Sequence, residues 1–305
     1  MKRIQILLST YNGEKYLREQ LDSYVNLNNF SEIKVLIRDD GSKDGTVEIL
    51  KEYEEKYGFE LILGENIGLA DSMFELMKCC DMECEYFSFS DQDDVWLPHK
   101  LERAVQALDK ENNNIPLLYS SCSSLTDSEL NIFGQTAAPK RGVSFYNAMI
   151  QNVCPGHAQV CNRKTLELIR SHYSSKIYMI DFWFYMVSTA TGKVVFDSEC
   201  TTLYRQHGKN TLGYETNFIK KNIQRIKRWR NQEATKNIIM LRDMYDIYNN
   251  LLPQEFKDEL HSFFSMQNSF FSRMKYIMRT KAYRQSGYED IVFRFMYLIG
   301  KYNVK

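Results

Sequence analysis

Apolar runs alternate with polar turns along the first third of the chain, and the alternation predicts its elements. Ile4-Gln5-Ile6-Leu7-Leu8 reads as a short strand, and it runs into the turn-forming cluster Ser9-Thr10-Tyr11-Asn12-Gly13. Leu17, Leu21, Tyr24 and Val25 then recur at helical spacing. A second strand, Ile33-Lys34-Val35-Leu36-Ile37, ends in Arg38-Asp39-Asp40-Gly41-Ser42-Lys43-Asp44-Gly45-Thr46, after which Val47, Ile49 and Leu50 begin another helix. Leu61-Ile62-Leu63 leads through Asn66-Ile67-Gly68 into a helix containing Met73, Leu76 and Met77. A fourth strand, Glu85-Tyr86-Phe87-Ser88-Phe89, precedes a helix that starts after Pro98. Four strand-turn-helix repeats before residue 110 predict an α/β fold of parallel βαβ units, with the loops gathered along one sheet edge.

The turn after the fourth strand, Ser90-Asp91-Gln92-Asp93-Asp94-Val95-Trp96, puts three carboxylates within four residues. Open α/β sheets bind ligands at the carboxyl ends of their strands, and carboxylate oxygens suit a hard cation such as magnesium or manganese. Read alone, the stretch has an alternative as a solvated turn with an Asp helix cap.

Four motifs in order change that balance: Ser9-Thr10-Tyr11-Asn12, Asp39-Asp40-Gly41-Ser42-Lys43-Asp44-Gly45-Thr46, Asn66-Ile67-Gly68 and Ser90-Asp91-Gln92-Asp93-Asp94-Val95-Trp96. Over roughly residues 3 to 212 the chain resembles the inverting glycosyltransferases of family two, which have the A-type glycosyltransferase fold, a Rossmann-like nucleotide-binding sheet. The acidic motif looks most like that of bacterial rhamnosyltransferases building surface polysaccharides. The resemblance implies a nucleotide-sugar donor, a glycan acceptor and a divalent metal, Mn or Mg. It implies nucleotide contacts from Thr10, Tyr11, Asn12, Asp40, Asn66, Gly68 and Asp91, with Asp40 accepting the imide N–H of uracil or thymine. Asp44 looks like a turn or helix-capping residue.

For the metal the resemblance points to Asp93 as principal ligand, with Asp91 and the late His207. In Tyr178-Met179-Ile180-Asp181-Phe182-Trp183-Phe184 it makes Asp181 the base that deprotonates the acceptor hydroxyl, although Ile180 stands where relatives often carry an acidic residue or His. Trp183 and Arg205 are expected at the acceptor or the phosphates, as is Lys209. Cys154-Pro155-Gly156-His157 is expected to line the acceptor pocket, with His157 a loop residue.

Charge adds a second theme. The net charge is zero, yet residues 1–205 carry 21 Lys+Arg against 30 Asp+Glu and residues 206–305 carry 18 against 9. The basic part is read as a helical C-terminal region, 214–305, behind a catalytic region 1–213, with the boundary near Gly213-Tyr214. Ile219, Ile223 and Ile226 share a helical face amid six cations in 219–230, and 270–284 repeats that character. Such helices can lie on an anionic membrane surface or pack on the catalytic part. The acceptor is accordingly expected to be lipid-linked.

No apolar run approaches the ~18–20 residues of a spanning helix. Seven scattered cysteines show no zinc spacing and predict reduced thiols. Met1-Lys2-Arg3 passes straight into a core strand, so no secretory signal is read. The expectation is a cytoplasmic enzyme, peripheral on the inner face of the cell membrane. An acidic catalytic part argues against nucleic acid. A glycoside hydrolase would use two carboxylates but would not need the Asp40 loop or a metal. A nucleotidyltransferase would normally show a glycine-rich basic loop after its first strand, where Ser9 to Gly13 has none.

Overall fold

Residues 3–207 and 233–303 are described by the structure, a computed structural model. Strands β1 (Ile4–Thr10), β2 (Ile33–Asp39), β3 (Glu60–Leu63) and β4 (Tyr86–Ser90) are parallel and lie in the order β3-β2-β1-β4. Helices α1 (Glu14–Val25), α2 (Thr46–Tyr57) and α3 (Leu69–Cys79) connect them. This is the predicted α/β alternation, and β1, β2 and β4 extend one or two residues past their apolar runs, into the polar motifs.

β1 is buried throughout and its side chains alternate between two cores. Ile6 and Leu8 face α1 and α2, whereas Leu7 faces α3 on the opposite side. Thr10 stands opposite Asp39, and Leu8 opposite Ser90. The three following loops therefore leave the sheet side by side.

Beyond β4 the sheet turns mixed. The remaining strands are β5 (Val95–Trp96), β6 (Leu117–Thr126), β7 (Ile132–Gln135), β8 (Val160–Asn162) and β9 (Lys193–Arg205). β8 runs antiparallel to both β4 and β6, β9 runs parallel to β6, and β5 and β7 pair antiparallel with β9 and β6. Helices α4 (Lys100–Leu108), α5 (Phe145–Ala148), α6 (Arg163–Arg170) and α7 (Ile180–Thr191) complete this part. β6, Leu-Leu-Tyr-Ser-Ser-Cys-Ser-Ser-Leu-Thr, has no apolar alternation, yet it is buried along its whole length. Two of its hydroxyls find partners from later parts of the chain: Ser121 bonds Thr201 at 2.7 Å and Ser123 bonds His157 at 2.9 Å.

Four helices follow residue 232: α8 (Glu233–Tyr248), α9 (Gln254–Ser265), α10 (Phe270–Arg279) and α11 (Gly287–Leu298). They share the core of the α3 side, where Met240, Leu241 and Met244 join Trp183 and Phe184. The expected boundary near Gly213-Tyr214, the basic segment 219–230 and Lys209 lie outside the described residues. All seven cysteines are free. Among the described residues no helix is long and apolar enough to cross a membrane.

Gly192 closes the turn from α7 to β9, the two elements that carry the later site residues. A Cβ there would lie 1.9 Å from the carbonyl oxygen of Pro116, which is backbone and cannot step aside. Gly192→Ala is expected to destabilise the fold by about 3 kcal/mol, read as a lower midpoint in chemical denaturation.

Candidate active site

The loops after β1 and β2 hold each other through side-chain bonds to backbone amides. Asn12 adopts a left-handed conformation, φ 48°. Its amide donates to Ser42 Oγ and its Oδ1 accepts from the Lys43 amide, each at 2.8 Å. Gly13 N–H donates to Thr46 Oγ1 at 2.8 Å. Asp39 anchors the turn by accepting from the Gly41 and Ser42 amides and from the Thr10 and Ser42 hydroxyls. Asp44 accepts from Thr46 and from the Glu14 amide, a structural role matching its reading as a turn residue.

The acidic loop joins through Gln92. Its amide oxygen accepts from the Tyr11 N–H at 2.9 Å and its amide nitrogen donates to the Tyr11 carbonyl at 3.1 Å. Gly13 must be glycine for this clip to form, because a Cβ would stand 2.5 Å from Gln92 Oε1. The Tyr11 ring remains 46% exposed at the rim, whereas Thr10 is buried.

Asp40 is placed differently from a free base-recognition carboxylate. It is 2% exposed, paired with the buried Arg38 guanidinium, and it accepts from the Ile67 and Gly68 amides at 3.0 and 2.9 Å. Asp40 thus fastens the 66–68 loop over the end of β2, and Asn66 and Ile67 stand exposed on that loop. Gly68 has φ 88° and ψ 156°, a region essentially reserved for glycine. Removing one partner of a buried ion pair leaves the other charge unpaired, so Asp40→Ala is expected to cost about 3–5 kcal/mol. Thermal denaturation checks it.

Below the clip lies the acidic cluster. His207 Nε2 is 2.8 Å from Asp93 Oδ2, which joins two residues 114 positions apart that the resemblance had assigned to one metal site. Asp91, Asp94 and His157 form a second group whose ligand atoms lie within 4.8 Å of one another. Burial and the Asp91 charge raise the Asp93 carboxyl above its ordinary range, and His207 opposes them. Asp94 is raised well above its range by burial, then by Asp91 and Asp93. Its Oδ1 accepts from the Arg205 amide, but its buried Oδ2 has no hydrogen-bond partner among the described residues. Carboxylates that resist ionisation beside one another, with an orphaned oxygen and two imidazoles in reach, form a donor set that fits a divalent cation.

Two cations lie at the edge of this cluster. Lys100 is fully buried; it donates to the His157 carbonyl and to Thr202 Oγ1, and burial lowers its pKa to about 7 against the pull of Asp94 and Asp91. Arg205 was expected at the acceptor or phosphates, but its guanidinium is buried and spent on protein groups. It donates to the carbonyls of Asp93 and Ser128 and to the Glu19 carboxylate, and it stacks on Tyr16. It braces the acidic loop from beneath.

Asp181 opens α7 in the first turn. Its carboxylate accepts from its neighbour's amide, Phe182 N–H, at 2.7 Å and from Asn152 Nδ2 at 2.9 Å, while Gln159 holds its carbonyl. Gly156 passes directly alongside, with room for a Cβ at 3.4 Å from the Asp181 Cβ. Desolvation raises the Asp181 pKa to about 6, and Asp91 adds to the rise through its charge. Gly156 is followed by His157, which stands 3.7 Å from Asp91, so Asp181 and Asp91 flank the same turn. Trp183, by contrast, is completely buried with its ring against Tyr248, so it cannot meet an acceptor or a phosphate.

The sequence reading missed four participants: Gln92 as the clip, Asn152 as the partner of Asp181, Lys100, and His157. His157 had been read as a loop residue, yet it is 2% exposed, stacks on Tyr204 and stands 3.7 Å from Asp91 and 3.9 Å from Asp94. Only the Cys-Pro-Gly-His turn, a histidine next to an unavoidable loop, hinted at it.

Residues 5–169 match the sequence profile described as Glycosyl transferase family 2. The dTDP-rhamnosyl transferase RfbG of Shigella flexneri is 28% identical over 262 residues, covering 80% of this chain and 88% of RfbG. The fold is similar to that of S. aureus TarS 1–349 in complex with UDP-GlcNAc, with TM-score 0.62, 15% identity, and coverage of 98% of this chain and 89% of that one. It is also similar to the mannosyltransferase PcManGT from Pyrobaculum calidifontis in complex with GDP-Man and Mn2+, with TM-score 0.51, 15% identity, and coverage of 98% and 86%.

Proposed function

The chain belongs to glycosyl transferase family 2 and is a glycosyltransferase, and from that premise we propose that it moves rhamnose from dTDP-rhamnose, with inversion, to a hydroxyl of a lipid-linked glycan in surface polysaccharide synthesis. The observation that carries this is the position of Asp181 against Gly156, whose neighbour His157 stands 3.7 Å from Asp91, which supports a proton acceptor beside the acidic loop. Similarity to a dTDP-rhamnosyl transferase over four-fifths of the chain supports the donor.

In this reading Tyr11 and the 66–68 loop frame the nucleotide base, Asp40 shapes that loop, and Thr10 and Asn12 hold the frame. Asp91 and Asp93, with His207, would hold Mn or Mg, which when bound neutralises charge on the departing diphosphate. Asp181 receives the proton of the acceptor hydroxyl as its oxygen bonds to the anomeric carbon and the bond to the diphosphate breaks. Asn152 and the Phe182 amide keep the carboxylate aimed. The enzyme works at the cytoplasmic face of an anionic membrane, where such an acceptor resides.

A thermal-shift screen of dTDP- and UDP-sugars with manganese tests the donor. Metal-dependent stabilisation by dTDP-rhamnose is expected, and a response to UDP-sugars alone would replace the rhamnosyl assignment. A base must be ionised to act, so kcat/KM should rise with pH through a limb at or below about 6 and stay flat above it. Neutralising the Asp91 charge can only move that limb lower. A pH–rate profile without this limb would remove Asp181 from the proton transfer.

A further inference from the structure

Of the 17 large hydrophobic side chains exposed among the described residues, nine fall between Phe270 and Ile299. They are ordered along α10 and α11. On α10, Phe271, Met274 and Met278 recur at i, i+3 and i+7; on α11 and its C-cap, Ile291, Phe295 and Ile299 recur at i, i+4 and i+8. Phe271, Met278 and Ile291 are 76%, 70% and 68% exposed. These residues are surplus to packing, because each helix also has an inward face: Tyr276 on α10, and Phe293 and Tyr297 on α11, are buried. The Tyr276 and Tyr297 rings meet at 4.4 Å, which joins the helices into a hairpin.

The charge around the outer face is one-sided. Residues 270–303 contain seven Lys and Arg against Glu289 and Asp290. Both acids are engaged, Glu289 with Arg284 and Asp290 with Arg294. Of the cations in 270–284, Lys281 pairs with Glu255 and Arg284 donates to the Ile150 carbonyl, so neither is free for a partner. Lys275 and Arg279 are exposed beside Phe271 and Met278 at the border of the apolar stripe. An apolar ridge edged by exposed cations with no ion pair among the described residues matches the interface of an anionic bilayer, where acyl chains take the ridge and headgroups the cations.

The hairpin is also fixed to the segment that adjoins Asp181. Its connecting segment docks on residues 141–151: the Ser144 hydroxyl donates to Tyr283, Asn147 donates to the Tyr283 carbonyl, and the Gln285 amide donates to Gln151. The next residue is Asn152, which holds Asp181.

We propose that the outer face of the α10–α11 hairpin docks on an anionic phospholipid surface and presents the Asp181 side of the cleft to it. The inference deepens the lipid-linked acceptor reading and rests on it. The test is flotation of the full chain with phosphatidylglycerol vesicles and, separately, phosphatidylcholine vesicles. Two variants are compared with it: Phe271→Ser with Ile291→Ser and Phe295→Ser, and Lys275→Glu with Arg279→Glu.

Preferential binding of the unaltered chain to phosphatidylglycerol is expected, and each variant should lower the bound fraction more than about tenfold. Variants that float like the unaltered chain overturn the proposal, as does equal binding to the two lipids. So does an oligomer in analytical ultracentrifugation that the serine variant dissolves while vesicle binding persists, since the face would then join copies of this chain. Stabilisation by dTDP with manganese is measured on the same proteins and should be equal in all. Its absence from the unaltered chain, with flotation intact, would end the donor reading while leaving the docking face in place.

Discussion

Asp181→Asn is expected to lower kcat by about 10²–10⁴-fold while leaving nucleotide binding unchanged. The amide is nearly isosteric: its one oxygen can still accept from the Phe182 N–H, while its NH2 takes the place of the oxygen that accepted from Asn152, so only that bond is lost. What disappears is the capacity to take a proton. The expected signature is a loss in kcat at constant KM for the donor, together with loss of the acidic limb near or below pH 6. A variant that keeps its rate would show that another group accepts the proton, and the coupling to Asp91 would then be a structural coincidence.

The second large effect concerns the cation. Chelation is expected to abolish turnover, with a fall of about 10³-fold or more from losing several kcal/mol of charge stabilisation, and manganese should restore it. The structure offers two donor sets: Asp93 with His207, and Asp91 with Asp94 and His157. Asp93→Asn should raise the manganese concentration required for half-maximal activity by about tenfold or more. His157→Gln should leave that requirement unchanged. The opposite ranking would move the ion to the Asp94 group, and turnover that survives chelation would remove it from the reaction.

The frame of the site was legible because its signals are local. Strand followed by polar turn is a short-range pattern, and Asp91, Asp93 and the Asp39–Thr46 loop stand in the turns after β4 and β2, whereas Asp181 opens a helix after α6 and was pointed to by the resemblance. Errors arose where orientation decides the outcome. Trp183 follows Asp181 by two residues, about 200° around a helix, so when one faces the cleft the other enters the core. Arg205 ends a strand, and whether a guanidinium turns toward a ligand or under its own loop depends on Glu19, Ser128 and Asp93, all distant in sequence. Asp40 has the same history, since its partners Ile67 and Gly68 come from another βα unit. β6 escaped notice because Ser and Thr can fill a buried strand once partners such as Thr201 and His157 arrive from elsewhere.

The Gln92 amide, sitting between two acids, has a consequence for affinity. It welds the aromatic rim at Tyr11 to the turn bearing Asp91 and Asp93, so the surfaces expected to meet the two ends of a nucleoside diphosphate are set relative to one another before it arrives. Little conformational entropy then remains to be lost on association, and preorganisation of this kind shows as tighter binding without new contacts. A Gln92→Ala enzyme would keep every group that touches the nucleotide and still hold it more loosely.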